Sequence, residues 1–328
     1  KHRSNICFRH IAPNENCIGY AILCELFAKI STQGGIMEYE NFPKIGFGTW
    51  TMGGDVVPNP NNDDKRDIEA IKYVISKGIS HIDTAANYAD GKSEELVGRA
   101  IKDFDREKLF IATKVKPEDL AFDDVIKSCE RSLKNLDTPW VDLLYVHKPN
   151  PEIEIKETAK AFNELFKRGV IKNIGLSNVK LKTILEYEKY LDKPVFAIQN
   201  QYNLVARESQ EKGIVDFCRG NKKIFVAWRP IHLMSPSIRK ILGVGDKFPL
   251  LEEMAKKYNK TEAQIAVKWL TQQEGVGIIF KSTNKEHIDE ILETETFELS
   301  KEDWHRLDKD FPIKVYKSFN GSGFFELL

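Results

Sequence analysis

A closed (β/α)8 barrel forming a single domain is the fold this sequence predicts, and three observations predict it. From Ile45 onward, short β-rich runs alternate with segments whose apolar residues recur every three or four positions. The alternation supplies strand signals for a complete barrel within roughly 250 residues, the length that fold requires. Strands alternating with helices imply right-handed crossovers and a parallel sheet. Finally, the rival doubly wound sheet lacks its fingerprint, a strand running into G-x-G-x-x-G. The near match Gly46-Phe47-Gly48 continues into Thr49-Trp50-Thr51-Met52 without a third glycine, and no G-x-x-x-x-G-K-[ST] loop occurs.

In chain order, the strand signals cover residues 44–48, 80–83, 109–115, 141–147, 172–176, 195–199, 224–228 and 277–280. Ile68, Ile71, Val74 and Ile75 mark the first helical face; Leu96, Val97, Ala100 and Ile101 the second; Val125, Ile126, Cys129 and Leu133 the third. Ala161, Phe162, Leu165 and Phe166 follow, then Leu181, Ile184 and Leu185, then Ile214, Val215 and Phe217, then Ile265, Ala266 and Trp269. No linker or low-complexity stretch divides residues 37–328, so they are expected to form one unit.

Composition narrows the function classes. The chain has 328 residues, 41% hydrophobic and 30% charged, with 49 Lys plus Arg balancing 49 Asp plus Glu. That excludes disorder, and a neutral chain without a basic cluster argues against nucleic acid as a partner. No run of apolar residues is long enough to span a membrane, and a cytoplasmic protein is expected. Residues 1–36 read differently: they hold three of the five cysteines, begin at Lys1 rather than Met, and precede Met37. They are expected to be an extension outside the fold. Only Cys129 and Cys218 remain after it, too few for a disulfide framework, and no Cys/His spacing suggests a metal.

Barrel chemistry is built where strands end. Those ends carry Asp83 with Tyr88 shortly after, then Lys114, His147, Ser177-Asn178, Gln199, Trp228 and Lys281. An acid, a phenol, an ammonium and an imidazole at consecutive strand ends can converge on one pocket. A phenol with a reference pKa of about 10 is a weak acid, but a neighbouring ammonium stabilises its anion. Lys114 is expected to lower the pKa of Tyr88 in this way, from a rim position where its removal would spare the fold. Asp83 would hold Lys114, and a neutral His147 would position and polarise an oxygen. Such a site donates a proton to a carbonyl oxygen and needs a hydride from elsewhere.

The motifs Gly46-Phe47-Gly48-Thr49-Trp50 and His81-Ile82-Asp83-Thr84-Ala85-Ala86-Asn87-Tyr88 resemble the opening of the aldo-keto reductases. Ile111-Ala112-Thr113-Lys114, Asp142-Leu143-Leu144-Tyr145-Val146-His147, Ile174-Gly175-Leu176-Ser177-Asn178, Gln199-Asn200-Gln201-Tyr202-Asn203 and Lys281-Ser282 continue the resemblance across residues 43–311. It implies a catalytic tetrad of Asp83, Tyr88, Lys114 and His147, with Tyr88 the general acid in carbonyl reduction. It also implies that Ser177, Asn178 and Gln199 bond the nicotinamide carboxamide and that Trp228 stacks on the ring. Gly48, Thr49 and Trp50 would line the pocket, with Trp50, Tyr88 and His147 facing a small carbonyl substrate. Arg229 would open a lid over the pyrophosphate spanning residues 229–249. Lys281, Ser282, Thr283 and His287 would meet the adenosine 2′-phosphate.

Two departures stand out. The family's usual arginine at the 2′-phosphate is His287, and its usual adenine-side asparagine is Ile291. NADPH is therefore the expected cofactor, with NADH possible and a smaller margin than usual. The aromatic that often follows the catalytic histidine is Lys148, and the tail 312–328 is short, which together imply an open pocket. The resemblance also admits a rival, a cofactor-sensing regulatory subunit with little turnover. A monomer or weak oligomer is expected.

Overall fold

The computed structural model describes residues 39–232 and 248–311. The expected extension 1–36, most of the expected lid 229–249 and the tail 312–328 lie outside the described residues. The strands are β1 (Ile45–Gly48), β2 (His81–Asp83), β3 (Phe110–Val115), β4 (Leu143–Val146), β5 (Ile174–Ser177), β6 (Ala197–Gln201), β7 (Ile224–Trp228) and β8 (Val276–Phe280). All neighbours run parallel and β8 closes onto β1, so the sequence order is also the spatial order. The expected barrel is the observed one.

Strand boundaries shift where side chains divert the backbone. The fourth signal began at Val141, but Val141 forms only an isolated bridge to Ile171. Asp142 then turns its carboxylate back to accept from the Ile111 amide at 2.9 Å and from Arg106 Nη2 at 2.7 Å. The main-chain carbonyl of Asp142 accepts from Asn173 Nδ2 at 2.9 Å, so β5 also starts late. At the other end β6 outruns its signal, because Gln201 still pairs with Trp228.

Helices surround the strands. They are α1 (Asp64–Ser76), α2 (Lys92–Ile101), α3 (Phe122–Leu136), α4 (Ile155–Lys167), α5 (Leu181–Glu188), α6 (Glu208–Glu211), α7 (Ile214–Gly220), α8 (Pro249–Tyr258), α9 (Glu262–Thr271), α10 (Lys285–Leu292) and α11 (Lys301–Asp310). Sharp starts have visible caps: Asp63 accepts from the Arg66 amide, and Thr261 with Gln264 forms a reciprocal capping box. No helical face was expected at α8, α10 or α11, each of which buries only two residues, although Leu251, Met254 and Ala255 in α8 and Ile288, Ile291 and Leu292 in α10 carry the three- and four-residue spacing. The last helix is held by Arg207, which is buried, donates to Asp308 Oδ1 at 2.8 Å and lies over the Trp269 ring.

Inside the barrel, glycine makes room for rings. A β-carbon on Gly46 would overlap the His81 imidazole, and one on Gly175 would overlap the Tyr145 ring. His81 packs edge-on against Phe42 and Phe110 at 5.1 and 5.3 Å between centroids. Phe42, Phe110, Leu143, Tyr145, Ile224 and Val226 belong to this buried lower plug. It closes the N-terminal end of the barrel and leaves chemistry to the opposite end.

Candidate active site

Strand register brings the polar residues to one level. Gly48 pairs beside Asp83, Ser177 beside Gln199, and Gln201 beside Trp228. Above them lies a cavity of about 490 Å3, within the range of small-molecule sites. Gly48, Thr49, Trp50, Asp83, Tyr88, His147, Ser177, Asn178, Gln199, Trp228, Arg229 and Lys281 all line it. Five non-glycine residues in the left-handed region belong to this rim: Thr51, Asn178 and Arg229 on the cavity wall, and Ala89 and Asp90 just after Tyr88. Such backbone persists only where its surroundings enforce it, and it concentrates at functional sites.

Tyr88 opens a tight turn that is pinned when the Ala89 amide donates to Asp55 O at 2.7 Å. Its ring meets Trp50 edge-on at 4.7 Å and His147 at 5.7 Å. Behind it, Lys114 Nζ donates to Thr84 O at 2.7 Å, to Tyr88 Oη at 3.4 Å and to Asp83 Oδ1. The second Asp83 oxygen accepts from Gln199 Nε2 at 2.8 Å. All four members of the expected tetrad therefore meet at one place.

Their electrostatics differ from expectation in two respects. Lys114 is not a rim residue: it and Asp83 are each only 1% exposed, so the pair is part of the core. Burial opposes the ammonium's charge, but Asp83 and then Tyr88 outweigh it and the Lys114 pKa is raised. Burial also dominates at Tyr88 and raises the phenol, although Lys114 pulls it down as anticipated. The sign of the Lys114 contribution is right, and desolvation exceeds it. Burial and then the Lys114 charge depress His147 to about 3, so its imidazole is neutral at physiological pH. Its backbone is fixed from both sides: the amide donates to Val115 O at 3.0 Å and the carbonyl accepts from Asn178 Nδ2 at 2.9 Å. Its buried Nδ1 has no hydrogen-bond partner among the described residues.

Around the rim, Ser177 Oγ donates to Gln199 O at 2.8 Å and accepts from Asn178 Nδ2 at 3.1 Å. Next in the circle stands the Trp228 indole, with the Arg229 guanidinium 5.3 Å from its centroid. Burial lowers the pKa of Lys281, partly offset by the nearby Asp67 charge. Ser282, Thr283 and His287 do not line the cavity. Ser282 Oγ instead accepts from the Asn284 amide at 3.1 Å, in the turn that starts α10, and His287 is exposed on that helix. Conversely, Thr51, Asn87, Lys148, Ile231, His232 and Ile279 line the cavity without having been assigned to it. Thr51, Asn87 and Lys148 each adjoin an assigned residue in the chain, which was the available signal.

The sequence profile described as the aldo/keto reductase family matches residues 44–310. The chain belongs to that family. This aldo-keto reductase is 34% identical over 242 residues to the glyoxal reductase of Bacillus subtilis, covering 73% of this chain and 82% of the relative. Among solved structures, a thermostable aldo-keto reductase bound to the inhibitor epalrestat has a TM-score of 0.76 and 39% identity, covering 81% of this chain and 94% of that one. An aldo-keto reductase from Klebsiella pneumoniae in complex with NADPH has a TM-score of 0.75 and 26% identity, covering 88% and 98%. No helix among the described residues is long and apolar enough to cross a membrane.

Proposed function

We propose that this chain reduces aldehydes and ketones to alcohols with NADPH as hydride source and Tyr88 as proton donor. The observation that carries the reading is the buried Lys114 ammonium, which reaches Asp83 and Tyr88 Oη together while a neutral His147 ring stands beside the phenol. The name of the Bacillus subtilis relative, a glyoxal reductase, and the NADPH complex of the Klebsiella structure agree with it.

The residues fit a nicotinamide dinucleotide by their donor chemistry. A hydroxyl and two carboxamides (Ser177, Asn178 and Gln199) match the donors and acceptor of a carboxamide. Trp228 offers a flat face for the ring, and Arg229 and Lys281 offer cations for phosphates. Ser282 and Thr283 follow Lys281 directly in the turn into α10, and they, with His287 on that helix, are the residues for a 2′-phosphate outside the cavity. When bound, the reduced cofactor supplies the hydride. Tyr88 donates the proton to the carbonyl oxygen, and the phenolate left behind is stabilised by Lys114. Asp83 keeps Lys114 charged and oriented. His147, neutral, holds the carbonyl oxygen beside the phenol, and Trp50 walls the pocket opposite.

The reading includes a cytosolic, monomeric or weakly associating enzyme, which cell fractionation and sedimentation would check. The decisive test is NADPH oxidation followed at the nicotinamide absorption band against a panel of aldehydes and ketones. Tyr88→Phe should lower kcat by roughly 100-fold or more, the lower end of general-acid contributions, while NADPH still binds. Tight cofactor binding with no turnover of any carbonyl would instead mark a cofactor sensor.

A further inference from the structure

The cavity's charged side chains are unevenly used. Besides Asp83, its lining carries three cations: Lys148, Arg229 and Lys281. Asp83 is the sole carboxylate in that lining among the described residues, and both its oxygens are engaged, one by Lys114 and one by Gln199. Under the function proposed above, Arg229 and Lys281 belong to the cofactor's phosphates at the ends of β7 and β8. Lys148 has no such employment. It directly follows His147 past the end of β4, and in a barrel closed in the order β1 to β8 that end lies across the axis from β8. One phosphate group therefore cannot be shared between Lys148 and Lys281.

Lys148 is half-buried and has no hydrogen-bond or ion-pair partner among the described residues. Other half-buried lysines here find a carboxylate, as Lys92 finds Asp64 and Lys260 finds Glu293. An ammonium on the wall of a cavity with no free counter-charge among the described residues is a site for an anion. Its chain position puts it next to the histidine that faces the reacting oxygen, on the substrate side. A single ammonium matches a single negative charge better than a phosphate dianion, which needs several donors.

We propose that Lys148 selects carbonyl substrates that carry a carboxylate, so that the preferred substrates are aldehydo or keto acids. The proposal rests on the carbonyl-reductase reading but extends it to a substrate class. Lys148 is a specificity residue here and takes no part in the proton transfer.

The test compares para-carboxybenzaldehyde with its methyl ester, which share the ring and the aldehyde and differ in charge. The ester withdraws electrons more strongly and is the intrinsically more reactive aldehyde, so a preference for the acid is not an effect of reactivity. Wild-type kcat/KM should favour the acid, with an advantage that shrinks as salt screens the charge. Lys148→Met should raise KM for the acid about tenfold with kcat little changed and leave the ester within about twofold, while Lys148→Arg restores the acid. Equal losses for acid and ester, or no wild-type preference for the acid, overturn the proposal. If neither aldehyde is reduced, the proposed function fails, and Lys148 is judged by calorimetric binding of benzoate to the protein with NADP+. Weaker benzoate binding in Lys148→Met then supports the anion site, and unchanged binding overturns it.

Discussion

Removing the Lys114 ammonium should cost this enzyme its stability as well as its activity, and the structure separates the two effects. In Lys114→Met, the methionine fills most of the same space, so packing changes little. What disappears is the counter-charge of Asp83, a carboxylate 1% exposed whose remaining neutral donor is Gln199 Nε2. Breaking a buried pair from one side typically costs about 3–5 kcal/mol, because the surviving charge stays desolvated. At about 2.1 cal/mol/K of unfolding entropy per residue, that corresponds in a barrel of this size to a fall in Tm of roughly 5–9 °C. The double variant Asp83→Asn/Lys114→Met removes both charges, keeps the Gln199 contact possible, and should recover most of the loss. Both proteins should be inactive, since neither can stabilise the Tyr88 phenolate. The assays are urea and thermal melts of the wild type, the two single variants and the double variant, alongside NADPH oxidation. A double variant as unstable as Lys114→Met would mean that side-chain shape, not charge pairing, holds this region. Near-normal turnover in Lys114→Met would remove the lysine from the proton-transfer machinery.

Other expectations concern acid stability and cofactor choice. His81 lies wholly buried among aromatic rings, and burial depresses its pKa from 6.5 to about 4. The unfolded chain therefore takes up a proton that the folded chain refuses, so this stability is complete above pH 6.5 and is lost as pH falls to about 4. The shift corresponds to about 3 kcal/mol, and His81→Leu should flatten the acid limb of a stability–pH curve by that order; parallel curves for the two proteins would contradict it. At the cofactor site, Lys281→Ala should weaken NADPH more than NADH, and His287→Arg should strengthen NADPH by about 1 kcal/mol. Fluorescence quenching gives all of these dissociation constants; equal losses for both cofactors in Lys281→Ala would place that lysine on a phosphate common to them.

The barrel was readable because parallel strands buried on both faces make dense apolar runs, and amphipathic helices between them change the period. Strand ends were readable too, which is why Asp83, Tyr88, Lys114 and His147 could be grouped before any geometry was known. Depth was not readable. A lysine at a strand end looks like a solvated residue, and only the folded chain shows Lys114 sealed beneath Thr84, Asp83 and Tyr88. For the same reason the balance at Tyr88 was misjudged: a charge can be guessed from residue type, whereas desolvation depends on what the whole fold excludes. The last helix, α11, escaped because its buried face is only Asp303 and Leu307 and it is held by docking, as with Arg207 and Asp308, rather than by its own pattern.

The glycines that admit rings into the barrel carry a constraint on how this sequence can change. A methyl group on residue 46 would collide with the His81 imidazole, and one on residue 175 with the Tyr145 ring. Neither site can enlarge alone, yet each can if its partner shrinks in the same step. Positions 46 and 81, and positions 175 and 145, should therefore drift as matched pairs among related chains, each large residue facing a small one across neighbouring strands. A mutational library enlarging either glycine singly would return mostly unfolded protein, while one that exchanges bulk within each pair would reach new barrel interiors that still fold.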